Sequence, residues 1–396
     1  MNYTVSDFYE TFHYGLKIIA GHGGMSRIIS DPGILDYELD AVLRDKYLHT
    51  NFHENQLVVT TFSCAKDNPF MVSDAIKHLI AKDVSCLVIK NVFKLPIHET
   101  ILRYADAKNF PIFLIDTQEI YIENIICEVN RCCRLRSDML YFRKMLSQIF
   151  SLPLSSEEII TNLKKINPSC QEQFFTIYIK LDTLQSNLCP EAYYDRFCCS
   201  DLNVPSNALI LLENSLLYIH SEDNINKKFS DSFITHILQI LLCEDPYSGC
   251  GVSQYHLTMA EFKISLQESV YAASMPSEIS SYTKYSCLGS YRIIFPFVQS
   301  SEMNRYAKDI LKTTEDYDIE NNSHLLNTLQ IYIETNCDLT ATAKKLSQHK
   351  NTIRYRLNKI KDLTGLDYKN FTDLEQLSLA LRIYQCRSHL LPQQLF

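Results

Sequence analysis

Three apolar segments of strand length alternate with two helical segments in the first third of the chain. Residues 56–62 (QLVVTTF), 86–91 (CLVIKN) and 110–115 (FPIFLI) are rich in the β-branched and aromatic residues that favour strands. Residues 69–83 and 98–109, which separate them, carry apolar residues at helical spacing. This alternation predicts a parallel α/β sheet, and such sheets usually place a ligand crevice at the carboxyl ends of their strands.

The middle of the chain has a different pattern. Residues 117–150 predict one long connecting helix. Capping boxes at Ser155 and Thr258 predict the starts of two further helices, and the polar, acidic residues 315–322 predict a linker. Strand-like segments follow the first box at 174–181, 208–213 and 215–221, with a short strand near 249–254. We therefore expect an α+β domain here, in a chain whose 396 residues suggest two or three domains.

From Ser323 onward the pattern is helical throughout. A short helix capped by Asp338 or Thr340 is followed by the turn at residues 347–349 and by a longer helix that ends at Gly365. A further capping box at Thr372 predicts the start of the last helix.

Charge separates this last segment from the rest. Residues 323–396 contain ten Lys or Arg and six Asp or Glu, which gives +4, while the whole chain carries −8. The first 322 residues therefore carry −12. A basic module on an acidic body indicates binding to a polyanion.

The longer helix has two chemically distinct faces. Ile353, Leu357 and Ile360, with Leu363 and Thr364 beside them, form an apolar stripe on a helical wheel. The opposite side carries amide, guanidinium and phenol groups that can pair with base edges, whereas the lysines are suited to phosphates. The predicted DNA-contacting residues are Lys344, Lys345, His349, Lys350, Asn351, Thr352, Arg354, Tyr355, Arg356, Asn358, Lys359 and Lys361.

An exposed helix without a nucleic-acid role normally mixes charges of both signs. Between Asp338 and Asp362 there is no acidic residue, and a short helix, a turn and a basic helix follow one another as in a helix-turn-helix. We therefore expect this segment to bind DNA. A solvated helix or a protein-binding helix is the alternative.

Residues 325–385 also closely resemble the C-terminal helix-turn-helix of bacterial PucR/CdaR-type transcriptional regulators. The shared features are LLNTL at 325–329, TAKKL at 342–346 and HKNTIRYRL at 349–357, with Lys350 standing where Arg is frequent. Residues 15–34 (GLKIIAGHGGMSRIISDPGI) and the strand segments after them resemble the N-terminal sensory domain of the same family. The middle region, which includes TMAEFKISLQESVYAAS at 258–274, resembles the family's degenerate GGDEF-like domain more weakly.

The resemblance implies a multidomain α/β and α+β architecture. Its expected parts are a PucR-like N-terminal α/β sensory domain at 1–125, a GGDEF-like α+β middle domain with its helical connector at 126–315, and an all-α helix-turn-helix domain at 323–390. It implies a regulator, expected to be an activator, of a catabolic or metabolite-responsive operon. The expected partners are double-stranded DNA with a pseudo-palindromic operator, an unknown small-molecule effector at unknown residues, a second copy in a homodimer or larger homo-oligomer, and RNA polymerase. A ligand-sensing scaffold whose C-terminal helices bind a protein is the alternative function.

Other functional classes have little support. The middle region lacks a GGDEF stretch, the chain lacks both common phosphate-binding glycine patterns, and Gly21–Gly24 (GHGG), followed by MSRIIS as a predicted strand, indicates a tight turn. Fourteen cysteines are scattered without a CxxC pair, so we expect reduced thiols, mainly in the core. His49 and His53 lack a second ligand pair. We expect no catalytic residue, metal or cofactor, no secretory signal or membrane segment, and a cytoplasmic location.

Overall fold

The computed structural model describes residues 3–36, 52–182, 190–223, 230–243, 245–275 and 281–389. The chain divides into two compact units, residues 1–143 and 144–396.

The first unit contains a five-stranded sheet in the order β1-β5-β4-β3-β2. Strands β2 to β5 are parallel, with Val58 opposite Leu87 and Val88 opposite Phe113, and β1 is antiparallel to β5. The elements are α1 (Val5–Phe12), β1 (Leu16–Ala20), β2 (Asp31–Ile34), β3 (Gln56–Thr60), α2 (Phe70–Ala81), β4 (Cys86–Ile89), α3 (Glu99–Ala107), β5 (Ile112–Ile115) and α4 (Ile122–Ser151), which ends in the second unit. The predicted parallel α/β sheet is confirmed, and its three predicted strands agree within two residues.

Helices cover both faces of this sheet, because successive strand residues point to opposite sides. One core packs strand residues against α2 and α3, and its members include Val58, Leu87, Ile76, Leu79 and Ile101. The other packs strand residues against α1 and α4, and its members include Leu57, Val88, Phe113, Phe8 and Ile125.

The glycine-rich segment before β2 forms a tight turn, as predicted. Gly21 has a φ of +75°, and a Cβ there would lie 1.9 Å from the carbonyl oxygen of Phe110. The strand predicted in MSRIIS is wrong, because only Ile28 makes a β-bridge there, to Thr4. The strand begins three residues later, at Asp31.

The second unit begins with a mixed region around a sheet in the order β10-β9-β6-β8-β7. The pairs β9–β6, β6–β8 and β8–β7 are antiparallel. The remaining pair, β10–β9, is parallel. The elements are α5 (Ser156–Ile166), β6 (Gln173–Leu181), α6 (Pro190–Cys198), β7 (Ala208–Leu212), β8 (Ser215–Glu222), α7 (Asp231–Leu242), β9 (Tyr247–Val252), α8 (Phe262–Ala273), β10 (Thr283–Lys284) and α9 (Tyr291–Ile294). The mixture of an antiparallel sheet and helices agrees with the expected α+β class.

The chain ends in five helices, which are α10 (Ser301–Asn321), α11 (Leu325–Glu334), α12 (Leu339–Lys345), α13 (Lys350–Thr364) and α14 (Phe371–His389). They share one apolar core, whose most buried members include Leu311, Leu329, Ile353, Leu357 and Leu377. The predicted linker at 315–322 is wrong, because residues 315–321 continue α10. Tyr317, within that segment, packs against the shared core.

Two of the three predicted capping boxes are also wrong. The Ser155 box is present, with the Ser155 backbone N–H donating to Glu158 at 2.8 Å. Thr258 accepts no capping hydrogen bond and is followed by a short 3-10 turn. The last helix begins one residue before Thr372, whose backbone N–H donates to Oδ1 of Asn370 at 2.9 Å.

The cysteines with described side chains form no disulfide with one another. The expectation that they lie mainly in the core is wrong for an exposed group made up of Cys127, Cys198, Cys199, Cys243 and Cys287. Within the described ranges, no three His, Cys, Asp or Glu side chains are placed to hold a metal ion. His49, of the HxxxH pair, lies outside the described residues. No described helix has the length and apolar character needed to cross a membrane.

Candidate nucleic-acid interface

Helices α12 and α13 and the turn between them form the centre of the candidate interface. The carboxylate of Asp338 caps α12 by accepting hydrogen bonds from the backbone N–H groups of Ala341 at 3.1 Å and Thr340 at 2.6 Å. These bonds lower the pKa of Asp338. The turn is fixed by a bond from the Gln348 N–H to the Ala343 carbonyl at 2.9 Å. The short helix, turn and long helix predicted from sequence are therefore present.

The ends of α13 are also defined by side chain and backbone. His349 precedes the helix, and its Nδ1 accepts a hydrogen bond from the Asn351 N–H at 3.2 Å. Gly365 follows the helix with a φ of +75°, a conformation that glycine adopts without a Cβ clash. Its N–H donates to the Lys361 carbonyl at 2.8 Å.

One face of α13 packs into the five-helix core. Ile353, Leu357 and Ile360 are each at most 1% exposed, as the apolar stripe predicts. Leu363 is partly buried against the same core. This packing fixes the rotation of α13 about its axis, and therefore which residues face outward.

The outward face carries Asn351, Arg354, Tyr355 and Asn358, all of them exposed. Tyr355 is 65% exposed, which is high for an aromatic residue with no nearby apolar cover. Asn358 is held from one side, because the hydroxyl of Tyr368 donates to its Oδ1 at 3.3 Å. An amide, a guanidinium and a phenol therefore project together from one side of a helix.

The predicted DNA-contacting cations differ in their freedom. Within the described residues, the side chains of Lys344 and Arg354 make no ion pair or hydrogen bond, and both are exposed. The other cations contact protein groups: Lys345 pairs with Glu334 at 2.8 Å, Lys361 with Asp367 at 2.7 Å, Lys350 donates to Thr340 at 3.1 Å, and Lys359 lies 4.6 Å from the centre of the Tyr317 ring.

Arg356 stands apart from this exposed group. It is half-buried, and its guanidinium donates to the Thr328 hydroxyl of α11 at 3.1 Å. That hydroxyl in turn donates to the His324 carbonyl at 2.8 Å. In this conformation Arg356 ties α13 to α11, and it would need to release Thr328 to reach DNA. Thr352 is also half-buried.

Sequence reasoning missed the contribution of α10 to this region. The carboxylate of Asp318 accepts hydrogen bonds from the backbone N–H groups of Leu325 at 2.7 Å and Leu326 at 2.9 Å, so α10 caps α11. The Thr313 hydroxyl donates to the Leu363 carbonyl at 3.1 Å. The available signal was the spacing of Tyr306, Ile310, Leu311, Thr314 and Tyr317, which continues at helical intervals through the acidic segment.

Comparison with known proteins identifies both ends of the chain. Residues 9–132 match the model of the purine catabolism regulatory protein-like family, and residues 325–383 match the PucR C-terminal helix-turn-helix domain. The second match spans α11 to α13 and most of α14, and it therefore contains the candidate interface.

Relatives in two bacteria match parts of the chain. The proline-responsive transcriptional activator PutR of Bacillus subtilis strain 168 is 28% identical over 184 residues, which are 46% of this chain and 44% of PutR. The purine catabolism regulatory protein of the same strain is 37% identical over 82 residues, 21% of this chain and 15% of that protein. The carbohydrate diacid regulator of Escherichia coli strain K12 is 45% identical over 65 residues, 16% of this chain and 17% of that protein.

The chain thus spans less than half the length of each of these relatives. The two family models match opposite ends of the chain, residues 9–132 and residues 325–383. The chain therefore carries a PucR-like N-terminal region and a PucR C-terminal helix-turn-helix domain.

Proposed function

We propose that the protein is a sequence-specific, DNA-binding transcriptional regulator. The observation that carries this proposal is the outward face of α13, where Asn351, Arg354 and Tyr355 project from the side opposite a fully buried stripe. A helix of this size fits the major groove of B-DNA, and the packing of Ile353, Leu357 and Ile360 leaves only that polar face available to enter it.

The candidate residues divide by role. Arg354 and Asn351 have the geometry to pair bidentately with guanine and adenine, and Tyr355 adds a hydroxyl and an apolar ring. Lys344, on the short helix that crosses the DNA backbone in such motifs, is suited to a phosphate. His349, Lys350, Thr352, Asn358 and Lys359 flank this face and are proposed as supporting contacts. Lys345, Arg356 and Lys361 would have to leave protein partners to join them.

Domain roles follow from the same proposal. Residues 1–125 would bind the effector, residues 126–315 would form a GGDEF-like middle domain that transmits the signal, and residues 323–390 would bind DNA. Because Leu311 and Asp318 support the C-terminal core and its first cap, the folding unit for DNA binding would extend back through α10. The names of the relatives mention proline, purine catabolism and carbohydrate diacids, so a small catabolic metabolite is the proposed class of effector.

We also propose activation, dimerisation and a cytoplasmic location. PutR is named as an activator, and an activator would contact RNA polymerase. A single helix-turn-helix contacts few base pairs, so two copies related by a two-fold axis would read a pseudo-palindromic operator. The regulator names of the relatives favour a binding protein over an enzyme.

The direct test is a fluorescence-anisotropy titration of the full chain against duplex DNA from upstream of its own gene and against a random duplex of equal length. We expect tighter binding to the upstream DNA and a steep fall in affinity with salt, because phosphate contacts release counterions. Absent or salt-independent binding would instead favour a scaffold whose C-terminal helices bind a protein. A thermal-shift screen of the full chain with purines, ureides, amino acids and sugar acids would identify the effector class.

A further inference from the structure

Two carboxylates lie beside the proposed DNA-contacting surface, and each engages one of its lysines. Glu334, at the end of α11, accepts from Lys345 Nζ at 2.8 Å and also from Gln330 Nε2 at 2.9 Å. Asp367, in the loop after α13, accepts from Lys361 Nζ at 2.7 Å. The hydrogen bond with Asp367 raises the pKa of Lys361, and the same bond lowers the pKa of Asp367, so both groups of this pair stay charged near neutral pH.

The two lysines are placed where DNA phosphates would lie. Lys361 follows Arg354 by seven residues, which is two helical turns, and therefore points to the same side of α13 as Arg354. Lys345 is adjacent to the unpaired Lys344 on α12, the helix that crosses the DNA backbone in this motif. In the free protein, each carboxylate occupies the position of the negatively charged group that a DNA phosphate would supply to the lysine.

Both pairs are partly exposed to solvent. The side chains of Lys345 and Glu334 are 42% and 40% exposed, and those of Lys361 and Asp367 are 47% and 30% exposed. Ion pairs at such positions add little to stability, because water and salt screen them. Their more consequential effect is to remove two positive charges from the surface that a phosphate backbone would meet.

We propose that Glu334 and Asp367 restrain non-specific DNA binding by holding Lys345 and Lys361 away from phosphates; this rests on the proposed function. Non-specific binding depends almost entirely on phosphate neutralisation, whereas binding at the operator also includes base contacts such as those proposed for Arg354. Because phosphate contacts carry no sequence information, withholding two of them weakens binding to random DNA and to the operator by a similar factor. The two carboxylates thus limit the sequence-independent part of DNA affinity without touching DNA themselves.

The test uses the full chain with E334Q and D367N, which remove a charge but keep an oxygen acceptor for the remaining hydrogen bonds. The matched control is E375Q, which makes the same charge change at an exposed carboxylate of α14 that has no lysine partner among the described residues. Anisotropy titrations on upstream and random duplexes are run from low to high salt. Each test variant should tighten binding to the random duplex by up to about eightfold at 0.1 M salt. It should also steepen the salt slope, which is the slope of log affinity against log salt concentration, by about one unit.

The gain must also depend on the freed lysine. E334Q should lose its effect when combined with K345A, and each single test variant should tighten binding to the upstream duplex by a factor similar to that for the random duplex. If the wild type binds DNA with the expected salt dependence but E334Q and D367N behave like E375Q, this inference is overturned and the proposed function stands. If the wild type itself binds no DNA, both are overturned.

Discussion

The parallel sheet of the first unit and helix α13 use apolar residues in opposite ways. Strands β3 and β4 are buried on both faces, so Val58 and Leu87 pack into one core while Leu57 and Val88 pack into the other. Helix α13 buries a single apolar stripe and exposes the opposite side. Side chains in the middle of these strands therefore serve stability, and binding groups must come from strand ends and loops. In α13, the buried stripe and the proposed binding face lie on two sides of one helix, so we expect that each can be changed without the other.

The largest effect should follow truncation of a strand residue that is buried. Leu87 is 0% exposed in the core beside α2 and α3. Leu87→Ala should lower the free energy of unfolding by roughly 2–5 kcal/mol, because it removes apolar contacts and leaves a cavity. Urea denaturation of the full chain measures this loss of free energy, from the unfolding transition of the first unit. Val92→Ala, at a 59% exposed position after the same strand, is the control and should change little. Equal losses for both would contradict a two-sided core.

The next effect should separate the two sides of α13. Arg354→Ala should weaken binding to upstream DNA by roughly 1–3 kcal/mol and relax preference at one base pair, with the free energy of unfolding unchanged. Arg356→Ala, two residues later, removes the donor to Thr328 and should lower the free energy of unfolding as well. Anisotropy and urea denaturation on the same preparations measure both quantities. If Arg354→Ala destabilised the fold as much as Arg356→Ala does, the separation of faces would be refuted.

Much of this contrast can be predicted from sequence, because apolar periodicity reports which faces are buried. Strands β3 to β8 and the stripe of Ile353, Leu357 and Ile360 follow directly from it. Predictions fail where a different helix or loop of the fold supplies the partner. Asp318 caps α11 from another helix, and Arg356 bonds to Thr328, which lies 28 positions earlier. Neither contact can be inferred from apolar periodicity. The partners of Lys345 and Lys361 are invisible for the same reason, so twelve polar and basic residues could be proposed but not ranked.

A smaller effect should test whether α10 belongs with the C-terminal core. Asp318→Ala removes the acceptor for the Leu325 and Leu326 N–H groups and should lower the free energy of unfolding of the C-terminal helices by about 0.5–2 kcal/mol. Asp316→Ala, two residues earlier at an exposed position of α10, is the matched control and should be nearly neutral. Helical signal against urea concentration gives both values. Identical stabilities would mean that the Asp318 carboxylate does not stabilise the start of α11.

The smallest effect should come from Lys344, and it should differ in kind from that of Arg354. Lys344 is exposed, and among the described residues its side chain has no acidic partner to release, so its contact with a phosphate would carry no sequence information. Lys344→Ala should weaken binding to upstream and random duplexes by the same factor and reduce the salt slope by about one unit. Lys345→Ala is the matched comparison. Because Glu334 already pairs with Lys345, removing the Lys345 side chain should change the salt slope less. A change of base preference in Lys344→Ala, or a larger slope change in Lys345→Ala, would mean that the pairing of charges does not determine which lysines meet phosphates. Lys345 would then replace Lys344 as the proposed phosphate contact, and the assignment of roles to base-contacting and phosphate-contacting residues would change.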